Sequence, residues 1–196
     1  MENEELECRA KITHETCDGI QPMHLVFYEQ SIHYSAERCL NAFARYDSMI
    51  DSDEAYELIS AVQEAIGHSA ALSRYFWPTS MGKKKEIPEQ LAMRQSRGLK
   101  LKKIFGVTDD SPIANRDIRN AWEHFDEKLD TYLISNDAGL FFPSPMIAHH
   151  AIADEPTGKV FKLIDPTNEV LILLDKRFFY RPIRDEVERI FKKSVV

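Results

Sequence analysis

The chain has 196 residues, 43% hydrophobic and 29% charged, which fits one core-forming domain with at most an appendage. Its 25 Lys and Arg stand against 32 Asp and Glu, a net charge of -7. That balance argues against a generic nucleic-acid sleeve, which needs a basic face, but leaves room for a compact RNA-cleaving site where a few cations act locally.

Cys8, Cys17 and Cys39 show no paired metal-ligand spacing and are odd in number, so free thiols in a reducing cytoplasm are expected. No apolar run reaches the roughly eighteen residues of a bilayer span. Residues 1–20 are acidic and polar, unlike a signal peptide. The expectation is a cytoplasmic protein without a membrane partner.

In chain order, residues 1–21 carry Glu2, Glu4, Glu5 and Glu7 with few large apolar side chains. They predict a mobile or weakly docked N-terminal arm. No Pro or Gly interrupts Met23 to Met49, where Leu25, Phe27, Tyr28, Ile32, Tyr34, Ala36, Leu40, Phe43 and Ala44 mark a first core helix. Asp51-Ser52-Asp53 offers N-caps to a second, Glu54 to Phe76, which Pro78 ends. Gly67 costs its middle about 1 kcal/mol relative to Ala unless close packing requires it.

Thr79 to Ile87 reads as a loop. Its Lys83-Lys84-Lys85 run is by default a solvated charge segment, and functionally a phosphate-steering edge. Pro88 opens a third helix, Glu89 to Phe105, closed by Gly106. Arg94, Arg97, Lys100, Lys102 and Lys103 make it the most basic element.

After the start signal Asp110-Ser111-Pro112 comes Ile118 to Asp130, running on to Ile134. Ile118, Trp122, Phe125, Leu129, Tyr132 and Leu133 fall at helical spacing and predict a buried face. Arg119, Asn120 and His124 lie on the same element. A guanidinium that is always charged and an imidazole near neutrality can together hold a phosphate and move a proton.

This segment resembles the HEPN superfamily (higher eukaryote and prokaryote nucleotide-binding domains), whose catalytic members carry an Arg, usually a polar residue after it, and a His four to six residues on in the last core helix. Arg119, Asn120 and His124 match that pattern. Arg9 and His14 satisfy the same gap, but in a stretch without comparable helical periodicity. The resemblance implies a four-helix, often dimeric, metal-independent ribonuclease or toxin. Its catalytic residues would be Arg119, Asn120 and His124; RNA would be the substrate and a protein antitoxin a partner.

On the implied mechanism an RNA 2′-OH attacks its own phosphate, leaving a cyclic phosphate and a 5′-hydroxyl. His124 serves as general acid or base, Arg119 stabilises charge on the phosphate, and Asn120 orients the His or the substrate. No metal or cofactor is expected. On an ideal helix, however, the five steps from Arg119 to His124 separate the side chains by about 140°. Either the helix is distorted, or two copies pool their residues about a two-fold axis, so a homodimer is expected. Lys83, Lys84, Lys85, Arg94 and Arg97 would then bind substrate at the rim of the shared cleft. Without the resemblance, an Arg119–Glu123 pair at i,i+4 beside a border His124 is the plainer reading. It suits a non-catalytic helical module that binds a protein or a nucleotide.

Beyond Asn136 the texture changes. Val160–Ile164 and Val170–Leu174 flank Asp165-Pro166-Thr167-Asn168-Glu169 and predict a β-hairpin, followed by a short helix over Pro182–Lys193. The whole is read as mainly α: an arm (1–21), a four-helix up-and-down bundle (22–138) and a C-terminal hairpin-plus-helix extension (139–196). A hairpin alone is marginal in water, so the extension should pack on the bundle or on a second subunit. His14, His24, His33 and His68 are scattered. His149-His150 with Asp154 and Glu155 offer divalent-ion ligands, but their Pro-flanked loop favours a solvent-facing pair. Asp126, Glu127 and Asp130 read as a solvated helix face.

Overall fold

The buried residues of Leu25–Ser48 are Ile32, Ser35, Ala36, Cys39, Ala42, Phe43 and Tyr46, a stripe at helical spacing that fixes which side of this helix, α2, faces inward. In the computed structural model, which describes residues 3–79 and 87–194, α2 packs most extensively against α3 (Ala55–Phe76). Before them stands α1 (Asn3–Cys17); after them come α4 (Pro88–Phe105), α5 (Asp117–Glu123), α6 (Phe125–Ser135) and α7 (Arg181–Ser194). The protein is mainly helical with a small C-terminal sheet region. Among the described residues no helix is long and apolar enough to cross a membrane. Lys83-Lys84-Lys85 lies outside the described residues.

The helix boundaries follow local chemistry. Pro88 sits at the first position of α4, where its missing N–H costs nothing, and Gly106 ends it in the left-handed region at φ 63°. The predicted cap of α3 is not made. Glu54 occupies the N-cap without a side-chain bond, while the Ser52 hydroxyl accepts the Glu54 N–H at 3.4 Å. Ser111-Pro112 starts only a 3-10 turn (Pro112–Ala114); α5 begins later, where the Asn115 side chain accepts the Asp117 N–H at 2.7 Å.

Residues expected to form a loose arm are instead helix α1, which lies along α4. Its low content of large apolar groups is offset by polar docking. Lys100 on α4 donates to the carbonyls of Cys17 (2.8 Å) and Ile20 (3.0 Å), satisfying acceptors that a helix end leaves open. His14 hydrogen-bonds Ser96 at 2.7 Å. The approach is backbone-close: a Cβ on Gly19 would stand 2.3 Å from both Arg97 N and Met93 O.

The C-terminal sheet has four strands in the order β2 (Met146–Ile147), β4 (Lys162–Asp165), β5 (Val170–Leu173) and β6 (Lys176–Phe179). The expected hairpin is β4–β5, antiparallel with Lys162 opposite Leu173 and Asp165 opposite Val170. Val160, expected in the same strand, belongs instead to β3 (Gly158–Val160), which runs parallel to β1 (Leu140–Phe142). Strand β6 joins β5 through Leu174 and Asp175, both at positive φ (51° and 61°). Asp175 is held there by the Tyr132 hydroxyl and by the Val160 N–H.

All four β5 residues are buried. Leu171 and Leu173 join Ile164 in the main core with the helices. Val170 and Ile172 join Val160 and Leu163 in a second cluster, covered by Phe142, Met146 and Ile152. The main core also takes in Tyr180 and, from α7, Ile183, Val187 and Ile190, which pack on α2. At its centre the Tyr46 and Tyr180 hydroxyls share a hydrogen bond of 2.6 Å. Arg184 grips Asp47 with both terminal guanidinium nitrogens, the longer contact at 2.9 Å. The hairpin and terminal helix are thus built into the same hydrophobic core as α2 and α3.

Two glycines give opposite expectations. A Cβ at exposed Gly67 meets nothing within 4 Å, so Gly67→Ala should raise stability by about 1 kcal/mol. Gly19 combines φ 79° with that backbone contact, so Gly19→Ala should lower it by about 1–3 kcal/mol or more. Urea unfolding midpoints of the two variants should move in opposite directions.

Candidate functional site

Helix α5 is fastened to α3 by its buried Ile118 and Ala121, which sets Arg119 and Asn120 on its partly covered flank. The Arg119 side chain is 18% exposed, and its Nε lies 3.2 Å from Glu123 Oε2. That nitrogen makes no aligned hydrogen bond, while Nη2 donates to Asn120 Oδ1 at 3.4 Å. The cavity that Arg119 lines with Ile66, Ser69, Ser73 and Ile183 is about 10 Å³, room for one water at most and not for a phosphate.

His124 breaks the predicted helix. With φ -119° and ψ 36° it ends α5 and precedes α6. Hydrogen bonding still bridges the kink: the His124 N–H donates to Asn120 O at 3.2 Å, and its carbonyl accepts Lys128 N–H at 3.1 Å. The imidazole is 55% exposed, its Nδ1 3.6 Å from Glu127 Oε2. Trp122 and Phe125 flank the kink with ring centroids 6.4 Å apart. Lys162 from β4 places its ammonium over both rings, at 5.5 and 4.6 Å, a cation–π cover.

The three motif residues therefore lie on one short stretch, with Arg119 tucked towards α3 and His124 open to solvent. Among the described residues no hydrogen bond or ion pair joins Arg119 to His124. Helix α6 contributes no buried residue. A groove of about 440 Å³ separates it from the β5–β6 turn, lined by Lys128, Tyr132, Leu174 and Lys176 but by neither Arg119 nor His124.

The cations expected at a rim also have structural work. Arg97 donates to Arg74 O at 3.4 Å and lies over the Tyr28 ring, and Arg94 donates to Thr79 O at 3.3 Å. Asp126, Glu127 and Asp130 are exposed, as a solvated face should be.

A second constellation went unread in the sequence because its carboxylate lies on another element. The sequence offers Asp154 and Glu155 as carboxylates near His149 and His150 and favours a solvent-facing pair; the structure instead sets His150 on Asp165, at the end of β4. Asp165 Oδ2 accepts from the His150 peptide N–H (2.9 Å), from His150 Nδ1 (2.7 Å) and from Asn168 Nδ2 (2.9 Å), while Oδ1 accepts the Asn168 N–H at 3.1 Å. Asp154 instead pairs with Arg177. The two imidazoles stack at 4.4 Å, and His149 Nδ1 accepts the Ala151 N–H. Asp165 is 2% exposed. Burial alone would raise its pKa, but the four hydrogen bonds outweigh it and hold the carboxyl down at about 2. The bond to Asp165 fixes the neutral His150 proton on Nδ1 and leaves the lone pair on Nε2.

This carboxylate should be visible in acid. Its folded pKa is depressed, so it contributes stability above the unfolded value near 3.8 and loses it as pH falls towards about 2. In EDTA, the stability gap between wild type and Asp165→Asn should shrink by about 2 kcal/mol between roughly pH 5 and pH 2. Urea midpoints at stepped pH measure it; a constant gap would contradict the assignment.

Compared with known proteins, the chain matches no family model, no curated protein and no solved structure.

Proposed function

We propose that the protein is a metal-independent endoribonuclease of HEPN type, acting as a toxin or defence component on cellular RNA. The observation that carries the reading is the Arg119-Asn120-x3-His124 pattern with its imidazole at a solvent-open helix junction. His124 acts as general acid or base while the 2′-OH attacks the adjacent phosphate. Arg119 leaves its Glu123 pairing, exposed on the carboxylate side, to stabilise the phosphorane charge. Asn120 positions Arg119. The folding plan behind the proposal is a four-helix up-and-down bundle whose last member is the α5–α6 pair.

The catalytic unit on this reading is a homodimer with its two-fold axis near Arg119 to Asp126. A second copy brings an Arg and a His to either side of one phosphate. The unburied face of α6, with Leu133 and Ile134 exposed, suits such a surface. Arg94, Arg97 and Lys83-Lys84-Lys85 would bind substrate, and a protein antitoxin would neutralise the enzyme.

The second reading is a non-catalytic helical module that binds a protein or a nucleotide. One observation favours it: Arg119 is paired with Glu123 beside a cavity too small for phosphate.

The experiment is RNA cleavage by the purified chain in EDTA. Wild type should cut, and His124→Ala should lose at least about a hundredfold in rate, the usual worth of a general acid or base, with an unchanged circular dichroism spectrum. Undiminished cleavage by the variant removes His124 from the mechanism; no cleavage by wild type favours the module. Light scattering at micromolar concentration should give twice 22.7 kDa. A clean monomer that still cleaves would overturn the shared-cleft arrangement.

A further inference from the structure

We propose that His149, His150 and Asp165 bind a divalent transition-metal ion of the zinc class, at a site on different elements from Arg119 and His124 and independent of the cleavage reading. One ligand atom from each residue lies within 4.8 Å of the others. A tetrahedral zinc ion with bonds of about 2.0–2.1 Å holds its ligand atoms roughly 3.4 Å apart. His150 Nδ1 and Asp165 Oδ2 now stand 2.7 Å apart, and no separation in the group exceeds 4.8 Å. Reaching the tetrahedral spacing needs side-chain rotation of an exposed and a half-buried imidazole, with the backbone left in place.

The carboxylate is the fixed member. Asp165 is buried and anchored by both N–H groups of Asn168 and by the peptide N–H of His150. These donors can remain when a metal binds, as the outer-shell bonds that orient a ligating carboxylate. The ion then takes the place on Oδ2 now held by the His150 Nδ1 proton. In neutral His150 that proton moves to Nε2; in the imidazolium it leaves to solvent. The exchange is one for one, and no buried polar atom loses its partner.

For His149 the change is equally local. Its Nδ1 now accepts the Ala151 N–H. Coordination through Nδ1 uses that lone pair, and coordination through Nε2 puts the proton on Nδ1. Either way a single contact at an exposed turn is given up. The two imidazoles stack on each other with their centroids 4.4 Å apart, so His149 is held beside the His150 that bonds Asp165. Two nitrogens and one carboxylate oxygen suit zinc, nickel or cobalt better than magnesium or calcium, and three protein ligands leave a fourth position for water or substrate. Arg177, whose charge would repel a cation, is paired with Asp154 and directed to the His150 carbonyl at 3.4 Å.

The test is calorimetric titration of the EDTA-stripped full chain with zinc alone, together with the visible spectrum of the cobalt(II) form. One ion per chain is expected, with tetrahedral cobalt bands. Affinity should fall about tenfold or more in each of His149→Ala, His150→Ala and Asp165→Asn. Less than half an ion per chain in wild type overturns the site. So does unchanged affinity in Asp165→Asn, which would mark adventitious capture by the histidine pair alone. If circular dichroism shows that Asp165→Asn does not fold, the two His variants decide: wild-type affinity in either one overturns the proposal.

Discussion

Strand β5 has no solvent side. Val170 to Leu173 are all buried, so a strand of four apolar residues needs cover on both faces, and the C-terminal half is arranged to supply it. The helical layer takes one face through Leu171 and Leu173; the β1–β3 segment and the 3-10 turn His150–Asp154 between those strands take the other through Val170 and Ile172. A strand covered on one face would alternate apolar with polar; this one cannot, and its run of branched side chains is the imprint of a middle layer. Tyr180 and α7 then close the helical layer, with the Tyr46–Tyr180 hydroxyl pair satisfying two polar groups that would otherwise be stranded in it.

The long helices were legible because their signals are redundant. For α2 and α3, periodicity and length agree with the stop at Pro78, and α4 is bracketed by Pro88 at its start and Gly106 at its end. The elements that were not legible lack local signals. Leu174-Asp175 turns with both residues left-handed, a geometry usually announced by Asn-Gly, and is stabilised by Tyr132 and Val160 from elsewhere in the chain. The parallel pairings of β1 with β3 and of β2 with β4 join strands of two to four residues through non-local contacts. Helix α1 is amphipathic only weakly and docks by lysine-to-carbonyl bonds that periodicity does not register.

The same division holds for the chemistry. Arg119, Asn120 and His124 were found because they are neighbours in sequence, and the sequence also carried the competing Arg119–Glu123 pair. It did not show the kink at His124, since no Pro or Gly marks it. Asp165 stayed hidden for the opposite reason. It looked like a turn residue of Asp-Pro-Thr-Asn, which it is, through its bonds to Asn168; its second role, organising His150, depends on the fold bringing residues 149–154 across the sheet edge.

The Tyr46–Tyr180 contact spans 134 positions of sequence. At the usual synthesis rate of about 5–20 residues per second, roughly 7–27 s separate the appearance of the two partners on a ribosome. Helix α2 can pair with α3 early, but the flank bearing Phe43 and Tyr46 must wait for Tyr180 and α7. During that interval a strip of aromatic surface is open to water and to other nascent chains. Slow translation between α3 and α7 prolongs the exposure.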